Sequence, residues 1–283
     1  MAASSAYRGR FAPTPSGPLH FGSLVAAVAS YLDARAHGGE WLLRIEDVDK
    51  PRALPGAAQT ILQQLHDHGL QWHGEVIYQS QRDTTYAAAL HTLQQRGLTY
   101  YCSCTRKQIK ARGPYYTGYC RDKKRRAEGN AVRFRNEHPC TEFQDRILGK
   151  VQLASDFAAE DFVLFRRDQL YTYQLAVVVD DIAQGITDIV RGADLLTPTS
   201  WQLTLWSELA TYQPRFAHVP LALDQNGNKL SKQNHAPALS AEHVHQQLRD
   251  ACAFLGLTEL PKAANTAQLL SAATAAWHAK YLS

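Results

Sequence analysis

Three groups of residues have the types and spacing to do chemistry. The first is Ala12-Pro13-Thr14-Pro15-Ser16-Gly17-Pro18-Leu19-His20-Phe21-Gly22-Ser23. A short strand running into a Pro- and Gly-rich loop and then a helix makes an anion site, because the free N–H groups of the first helical turn face the ligand. His20 at the helix entrance can donate to a phosphate, and Gly22 removes a side chain where a flat base could lie. The second is Lys229-Leu230-Ser231-Lys232-Gln233, which follows the turn Asp224-Gln225-Asn226-Gly227-Asn228. Its lysines are point charges suited to a transferring or leaving phosphate. Each also has a plain structural reading, a capped strand–helix turn and a surface loop.

The third group is Cys102-x-Cys104 with Cys120 after a further fifteen residues. Zinc takes four ligands from Cys, His or carboxylate side chains. Three thiols are present, and the fourth place is open; His138 and Cys140 fit it by chemistry alone. Free cysteines without metal are the bland alternative. Around the cluster run Arg106, Lys107, Lys110, Arg112, Arg121, Lys123, Lys124, Arg125 and Arg126 against Asp122. This run is a solvated face or a surface for an anionic polymer. Cys252 falls in an apolar helical pattern and reads as core.

Taken together, the first two groups resemble the two signature sequences of class I aminoacyl-tRNA synthetases. In the first, Ser23 stands where many members have a second histidine. In the second, Leu230 replaces the methionine and Gln233 the last serine. Arg10 to Gly17, Leu43-Arg44-Ile45-Glu46-Asp47-Val48-Asp49 and Asp188-Ile189-Val190-Arg191-Gly192-Ala193-Asp194 narrow the likeness to the glutamyl and glutaminyl group. It spans residues 7 to about 240.

The resemblance implies a glutamate site built from Arg10, Phe11, Ala12, Pro13, Thr14, Glu46, Tyr173 and Arg191. Arginine can grip a carboxylate through two N–H groups, and Glu46 can hold the ammonium. It implies ATP, with Mg²⁺, bound by His20, Gly22, Lys229, Ser231 and Lys232, with His20 and Lys232 catalytic. Asp47 and Asp49 read as structural hydrogen-bond acceptors. Zinc-bearing members close their metal site with a C-x-[CH] pair. Here Arg121-Asp122 follows Cys120 and breaks that pattern. Short paralogues in the group use a tyrosine four residues before the last cysteine, which falls on Tyr116. The implied set is Cys102, Cys104, Tyr116 and Cys120 around one structural Zn²⁺.

Few residues follow Lys232 in a chain of 283, so the helical anticodon-binding domain of the longer members is expected to be missing. The short paralogues activate L-glutamate with ATP without needing tRNA. They transfer it to the queuosine base in the anticodon stem-loop of tRNA(Asp), and the resemblance implies the same ligase activity here. Another ATP-dependent ligase or nucleotidyl transferase, or a non-catalytic tRNA-binding module, are the competing readings. Intact His20, Lys232, Arg10 and Glu46 argue against the last.

The elements that must position these residues follow from periodicity. Residues 7–12 read as a strand and His20 to His37 as a helix stopped at Gly38-Gly39. Trp41 to Ile45 reads as a strand, and Pro55 suits the first position of a helix carrying Ile61, Leu62 and Leu65. A strand at Val76 to Tyr78 and a helix over Arg82 to Arg96 come next. This alternation implies βαβ units and a parallel sheet. It breaks at Leu98 to Glu128, with strand-like runs at Ala131 to Arg135 and Asp161 to Arg166. It returns near Tyr173, with a strand at Ile186 to Val190 and helices over Thr199 to Tyr212, Glu242 to Leu255 and Thr266 to Tyr281. The expected fold is α/β: a Rossmann-type parallel-sheet catalytic domain with an inserted zinc-binding, acceptor-like module and a short helical C-terminal part. The expected divisions are 1–98 and 166–235 for the two catalytic halves, 99–165 for the insertion and 236–283 for the tail.

Composition agrees. Hydrophobic residues at 45% support a sizeable core, which excludes global disorder. No run approaches the ~18 apolar residues of a membrane span; the best candidate, Leu175 to Val179, stops at Asp180 and Asp181. Five cysteines, an odd number, and no apolar segment near Met1 point to a reduced, cytoplasmic protein without a secretory signal. Net charge is only +4, which permits an anionic partner without demanding one. Nothing in the sequence sets an oligomeric state, and a monomer is the default expectation.

Overall fold

A computed structural model describes residues 6–223, 230 and 237–282. The chain opens with β1 (Arg8–Phe11), α1 (Phe21–Ala36), β2 (Glu40–Ile45), α2 (Ala57–Asp67) and β3 (Ile77–Tyr78). After α3 (Asp83–Gln95) come β4 (Thr99–Cys102), α4 (Arg106–Lys110), β5 (Ala131–Phe134), β6 (Glu142–Asp145), β7 (Gly149–Gln152), α5 (Ser155–Ala158) and β8 (Val163–Phe165). The remainder is α6 (Tyr173–Ala183), β9 (Asp188–Gly192), α7 (Thr199–Leu209), β10 (Arg215–Val219), α8 (Val244–Phe254) and α9 (Thr266–Tyr281).

β1, β2 and β3 pair in parallel, with Arg10 opposite Leu42 and Ile45 opposite Tyr78. β9, β10 and β6 are also parallel, and β7 turns back antiparallel on β6. β9 lies beside β1, where the Thr187 N–H donates to the Arg8 carbonyl at 2.9 Å. The strands therefore run β3-β2-β1-β9-β10-β6-β7. Strand order reverses between β1 and β9, the place where open α/β sheets leave a crevice at the carboxyl ends of their strands.

α1 covers that centre. It is buried almost all round from Leu24 to Ala34, because the sheet lies on one side and α8 and α9 on the other. A helix apolar on every face needs such double cover. Its buried acid, Asp33, is fully satisfied. It accepts from Tyr7 Oη (2.5 Å), Trp277 Nε1 (2.9 Å) and both Nη atoms of Arg146 (2.7 and 2.8 Å). That node ties β1, α1, the β6–β7 turn and α9 together.

β4, β5 and β8 form a separate antiparallel sheet. The β6–β7 hairpin lies within 99–165, yet it pairs with β10 and extends the central sheet. The strand pattern of Glu142 to Gln152 is too short and polar to announce itself. Pro55 does not occupy the first helical position: α2 begins at Ala57, and Gly56, in left-handed geometry (φ 75°), caps it. Only glycine adopts that turn without strain. Among the described residues, no helix is long and apolar enough to cross a membrane.

Candidate active site

A cavity of about 420 Å³ opens where the strand order reverses. Its wall includes Arg10, Phe11, Ala12, Pro13, Thr14, His20, Gly22, Glu46, Tyr173, Arg191 and Leu230. β1 and the loop after it supply the first six. β2 ends at Ile45 and presents Glu46, α6 begins at Tyr173, and β9 carries Arg191. Every expected glutamate-site residue thus faces one space. Lys229, Ser231 and Lys232 lie outside the described residues.

His20 caps α1, its Nδ1 accepting the Ser23 N–H at 3.4 Å. That bond assigns the proton of the neutral ring to Nε2. A Cβ on Gly22 would come within 3.2 Å of His20 Cε1 and 3.4 Å of the Leu230 carbonyl. A side chain there would be tight, and the His20 ring or residue 230 would have to give by a few tenths of an ångström. The Leu230 N–H in turn donates to the Ala222 carbonyl (2.8 Å), and the Leu239 N–H to that of Leu19 (2.9 Å).

The two arginines differ sharply. Arg10 is buried and paired with Asp181, Nε to Oδ1 at 3.0 Å and Nη2 to Oδ2 at 3.2 Å. Its Nη1 lies outside these bonds. Asp181 also meets Arg44 Nη1 at 2.8 Å, and against the upward push of burial these two cations hold its carboxyl below the usual range. Arg191 is buried as well but has no carboxylate at ion-pair distance among the described residues. Its Nε donates to His218 Nε2 (3.1 Å), and its Nη2 donates to Thr199 Oγ1 (2.7 Å) and the Leu195 carbonyl (3.2 Å). Among the described residues Nη1 is buried without a partner, and burial, with Arg10 nearby, pulls the Arg191 pKa down against the opposing pull of Tyr173, Asp181 and Glu46.

Glu46 is the opposite case. Burial pushes its carboxyl up to about 7, with Arg44 and Arg10 pulling against it. Its direct contact is a long one, Arg44 Nη2 at 3.4 Å. Burial likewise raises the Tyr173 phenol. Asp47 and Asp49 act structurally. Asp47 accepts from Ser80 N (2.7 Å) and Oγ (2.6 Å), and Asp49 meets Arg52 and Arg166.

Sequence reading passed over the residues behind this wall. Asp180 accepts from Gln79, Arg82 and Tyr86, and Asp181 and Arg44 join Arg10 and Glu46 into one buried network. Two acids closing an apolar helical run, with arginines inside β1 and β2, were the available signal: buried charges must be paired.

A second cluster sits at the end of β4. The sulfurs of Cys102, Cys104 and Cys120 all lie within 4.8 Å of one another. Tyr116 is buried, and its hydroxyl is 3.4 Å from Cys102 Sγ while accepting the Cys120 N–H at 2.8 Å. Three convergent thiols fit zinc, with the Tyr116 hydroxyl beside them, its phenol raised by burial. Cys140 is elsewhere, its N–H on Thr204 and its Sγ on the Glu142 carbonyl, and His138 is exposed. Burial pushes the Cys120 thiol up, but hydrogen bonds from Tyr116 and the Ser103 backbone outweigh it and bring it to about 7. The loop closes because Gly118 (φ 78°) brings Arg121 onto Asp161, at 2.7 and 2.5 Å; a Cβ there would meet Arg121 Nε at 2.6 Å. Arg133 lies over the Tyr116 ring at 3.8 Å and Arg112 Nη1 reaches Cys104 Sγ at 3.7 Å.

A parallel sheet with a crevice at its switch point, walled by the His20 loop and a buried arginine–carboxylate set, defines a class I synthetase catalytic domain. The family model for class I tRNA synthetases (E and Q), catalytic domain, matches residues 6–257, and the chain belongs to that family. It is similar to the glutamyl-Q tRNA(Asp) synthetase of Idiomarina loihiensis, 59% identical over 89% of each chain. It is 55% identical to that of Yersinia pseudotuberculosis over 88% of this chain and 75% of the relative. With that of Salmonella choleraesuis it shares 50% over 96% and 92%. Among solved structures, glutamate-tRNA synthetase from Elizabethkingia anophelis shares the fold at TM-score 0.77 and 23% identity, over 95% of this chain. The chain spans about 65% of that longer protein.

Proposed function

We propose that this protein activates L-glutamate with ATP in the absence of tRNA and transfers it to the queuosine base in the anticodon of tRNA(Asp). The observation that carries the reading is one cavity walled by a buried arginine without a carboxylate partner among the described residues and a carboxylate held only by a long contact. Arg191 offers a buried, unpartnered Nη1 to a carboxylate, and Glu46 offers a weakly held carboxylate to an ammonium. An amino-acid zwitterion satisfies both. Arg10, with Nη1 outside its Asp181 bonds, is the second carboxylate's partner, and Phe11, Ala12, Pro13, Thr14 and Tyr173 shape the space between.

An α-carboxylate oxygen of the bound glutamate attacks the α-phosphorus of ATP, and pyrophosphate leaves with the bond it breaks. Glutamyl-adenylate forms, and the acceptor nucleoside then displaces AMP. His20 and Gly22, with Lys229, Ser231 and Lys232, hold the phosphates and base. Lys232 neutralises charge developing on the leaving pyrophosphate, and Mg²⁺ entering with ATP would supply further neutralisation there.

Cys102, Cys104, Tyr116 and Cys120 would hold one zinc ion. A four-ligand site has no place for a reacting water, so the metal's contribution is to cross-link the end of β4 to the loop carrying Tyr116 and Cys120. The 99–165 segment, apart from the β6–β7 hairpin that joins the central sheet, is then an inserted module between catalytic halves 1–98 and 166–235, and its cationic rim, Arg106 to Arg126, meets RNA phosphates. Relatives of the same proportions bearing the glutamyl-Q tRNA(Asp) synthetase name support this acceptor. Incubation with labelled glutamate, ATP and tRNA(Asp), with and without queuosine, tests it. Label is expected only on the queuosine-bearing RNA; equal labelling of both, or charging of tRNA(Glu), overturns the acceptor assignment.

A further inference from the structure

Arg191 does not stand alone in the wall. Its Nε donates to His218 Nε2 at 3.1 Å, and His218 Nδ1 donates to Asp145 Oδ2 at 2.6 Å. Asp145 is fixed in turn, its Oδ1 accepting the Ile147 and Leu148 N–H groups at 2.9 Å each. His218 is on β10 and Asp145 at the end of β6, so the line runs across three adjacent strands of the central sheet. His218 is fully buried and Asp145 almost so. The imidazole is clasped by aromatic rings, lying parallel to Phe216 at 6.0 Å and tilted against Phe143 at 6.2 Å. Neither His218 nor Asp145 is part of the cavity wall.

Each bond in this line fixes a choice. Asp145 can only accept, so it holds the His218 proton on Nδ1 and presents a bare Nε2. That lone pair takes the Arg191 Nε–H, and Thr199 Oγ1 and the Leu195 carbonyl take the Nη2 hydrogens. Three of the five guanidinium hydrogens are thus committed inside the protein, and among the described residues the two on Nη1 have no partner. An arginine free to rotate would lose entropy on gripping a carboxylate; one locked by its neighbours has little left to lose.

We propose that His218 and Asp145 are positioning residues for substrate binding. They lock the neutral Nδ1–H tautomer of His218 and aim Arg191 Nη1 at a substrate carboxylate. The proposal rests on the reading of Arg191 as a carboxylate partner. Neither residue touches substrate. Because Asp145 sits on the hairpin of the 99–165 segment, that segment contributes to amino-acid recognition as well as to the module beyond it.

Two substitutions of His218 separate aiming from packing. His218→Phe keeps the ring between Phe216 and Phe143 but removes the acceptor. His218→Gln places an oxygen near the Nε2 position. In pyrophosphate exchange, His218→Phe is expected to raise the KM for the amino acid by roughly ten- to a hundredfold, the loss of one hydrogen bond to a charged group. The KM for ATP and kcat should stay within about threefold, and His218→Gln should recover most of the amino-acid KM. A purely structural role would lower the active fraction, and so kcat, with both KM values unmoved, and that result overturns the proposal. So does an unchanged amino-acid KM in His218→Phe. Wild-type exchange across a panel of amino acids tests the reading of the substrate separately, since the KM ratio is measured on whichever acid is activated. If none is, the ¹⁵N resonance of Arg191 Nε decides. It should be shifted and broadened in His218→Phe and near wild type in His218→Gln; identical resonances in all three would overturn the relay.

Discussion

Replacing Arg191 by methionine should separate ligand binding from folding. Among the described residues, Nη1 is the one nitrogen of this guanidinium without a partner, so its role is read when a carboxylate is present. Truncating one partner of a buried, hydrogen-bonded charge pair costs about 2–5 kcal/mol of binding, or roughly 30-fold to several thousandfold in glutamate affinity. The folding side is close to balanced. A buried cation without a directly paired carboxylate disappears, while His218 Nε2, Thr199 Oγ1 and the Leu195 carbonyl each lose a donor, at about 1–3 kcal/mol for an orphaned buried group. The Thr199 hydroxyl donates to the Leu195 carbonyl at 2.9 Å and stands 3.2 Å from His218 Nε2, so it can satisfy one of these two acceptors and limit the cost. The unliganded variant should therefore lie within about 2 kcal/mol of wild type, or less than about 8 °C in Tm. Thermal unfolding is followed with and without glutamate at a hundred times the wild-type Kd. Wild type should gain about 2.7 kcal/mol, and the variant less than about 1 kcal/mol. A variant that keeps the full glutamate shift would refute the role of Arg191. One that unfolds without glutamate would refute the separation of binding from folding.

Three further outcomes follow from the same geometry. Glu46 is raised from 4.5 to about 7, so its contribution to stability is fully present below about 4.5 and is lost as pH rises toward 7. Ammonium binding needs the carboxylate, so glutamate affinity should climb through pH 7 and then level; a flat profile from pH 6 to 8, or an unchanged slope in Glu46→Gln, contradicts the assignment. One zinc per chain should co-purify, Cys120→Ser should lose it, and Tyr116→Phe should loosen it while sparing tRNA-free activation. Elemental analysis finding zinc unaffected by Tyr116→Phe but lost in Cys140→Ala would name the wrong fourth ligand. Trp277→Phe removes one of four donors to Asp33, about 1–2 kcal/mol, and should lower Tm by several degrees; no change would mean α9 is not anchored through that bond.

The cavity wall was legible in the sequence because its residues cluster in short motifs at strand ends: Arg10 to Thr14, His20 to Gly22, Glu46 and Arg191. Loops at the carboxyl ends of parallel strands carry function for topological reasons, and their Pro, Gly and charged residues stand out from the apolar runs beside them. What lay behind the wall was harder to see. His218 sits in the strand Arg215–Val219 between apolar neighbours, and its meaning depends on Asp145, which is far away in sequence and on a polar hairpin with no clean alternation. Asp181 looked like the end of an apolar run; only the fold brings Arg10 and Arg44 to it. The metal cluster was half visible. Three cysteines stand out by spacing, whereas Tyr116 is singled out among several tyrosines only by the family resemblance; in the fold its hydroxyl lies 3.4 Å from Cys102 Sγ.

The claim at the centre is that this cavity recognises glutamate and activates it unaided by RNA. Pyrophosphate exchange into ATP, run with each amino acid in turn and with no tRNA, tests it most directly. Exchange with glutamate alone is the predicted result. Exchange with glutamine in preference, or none until tRNA is added, would contradict the account.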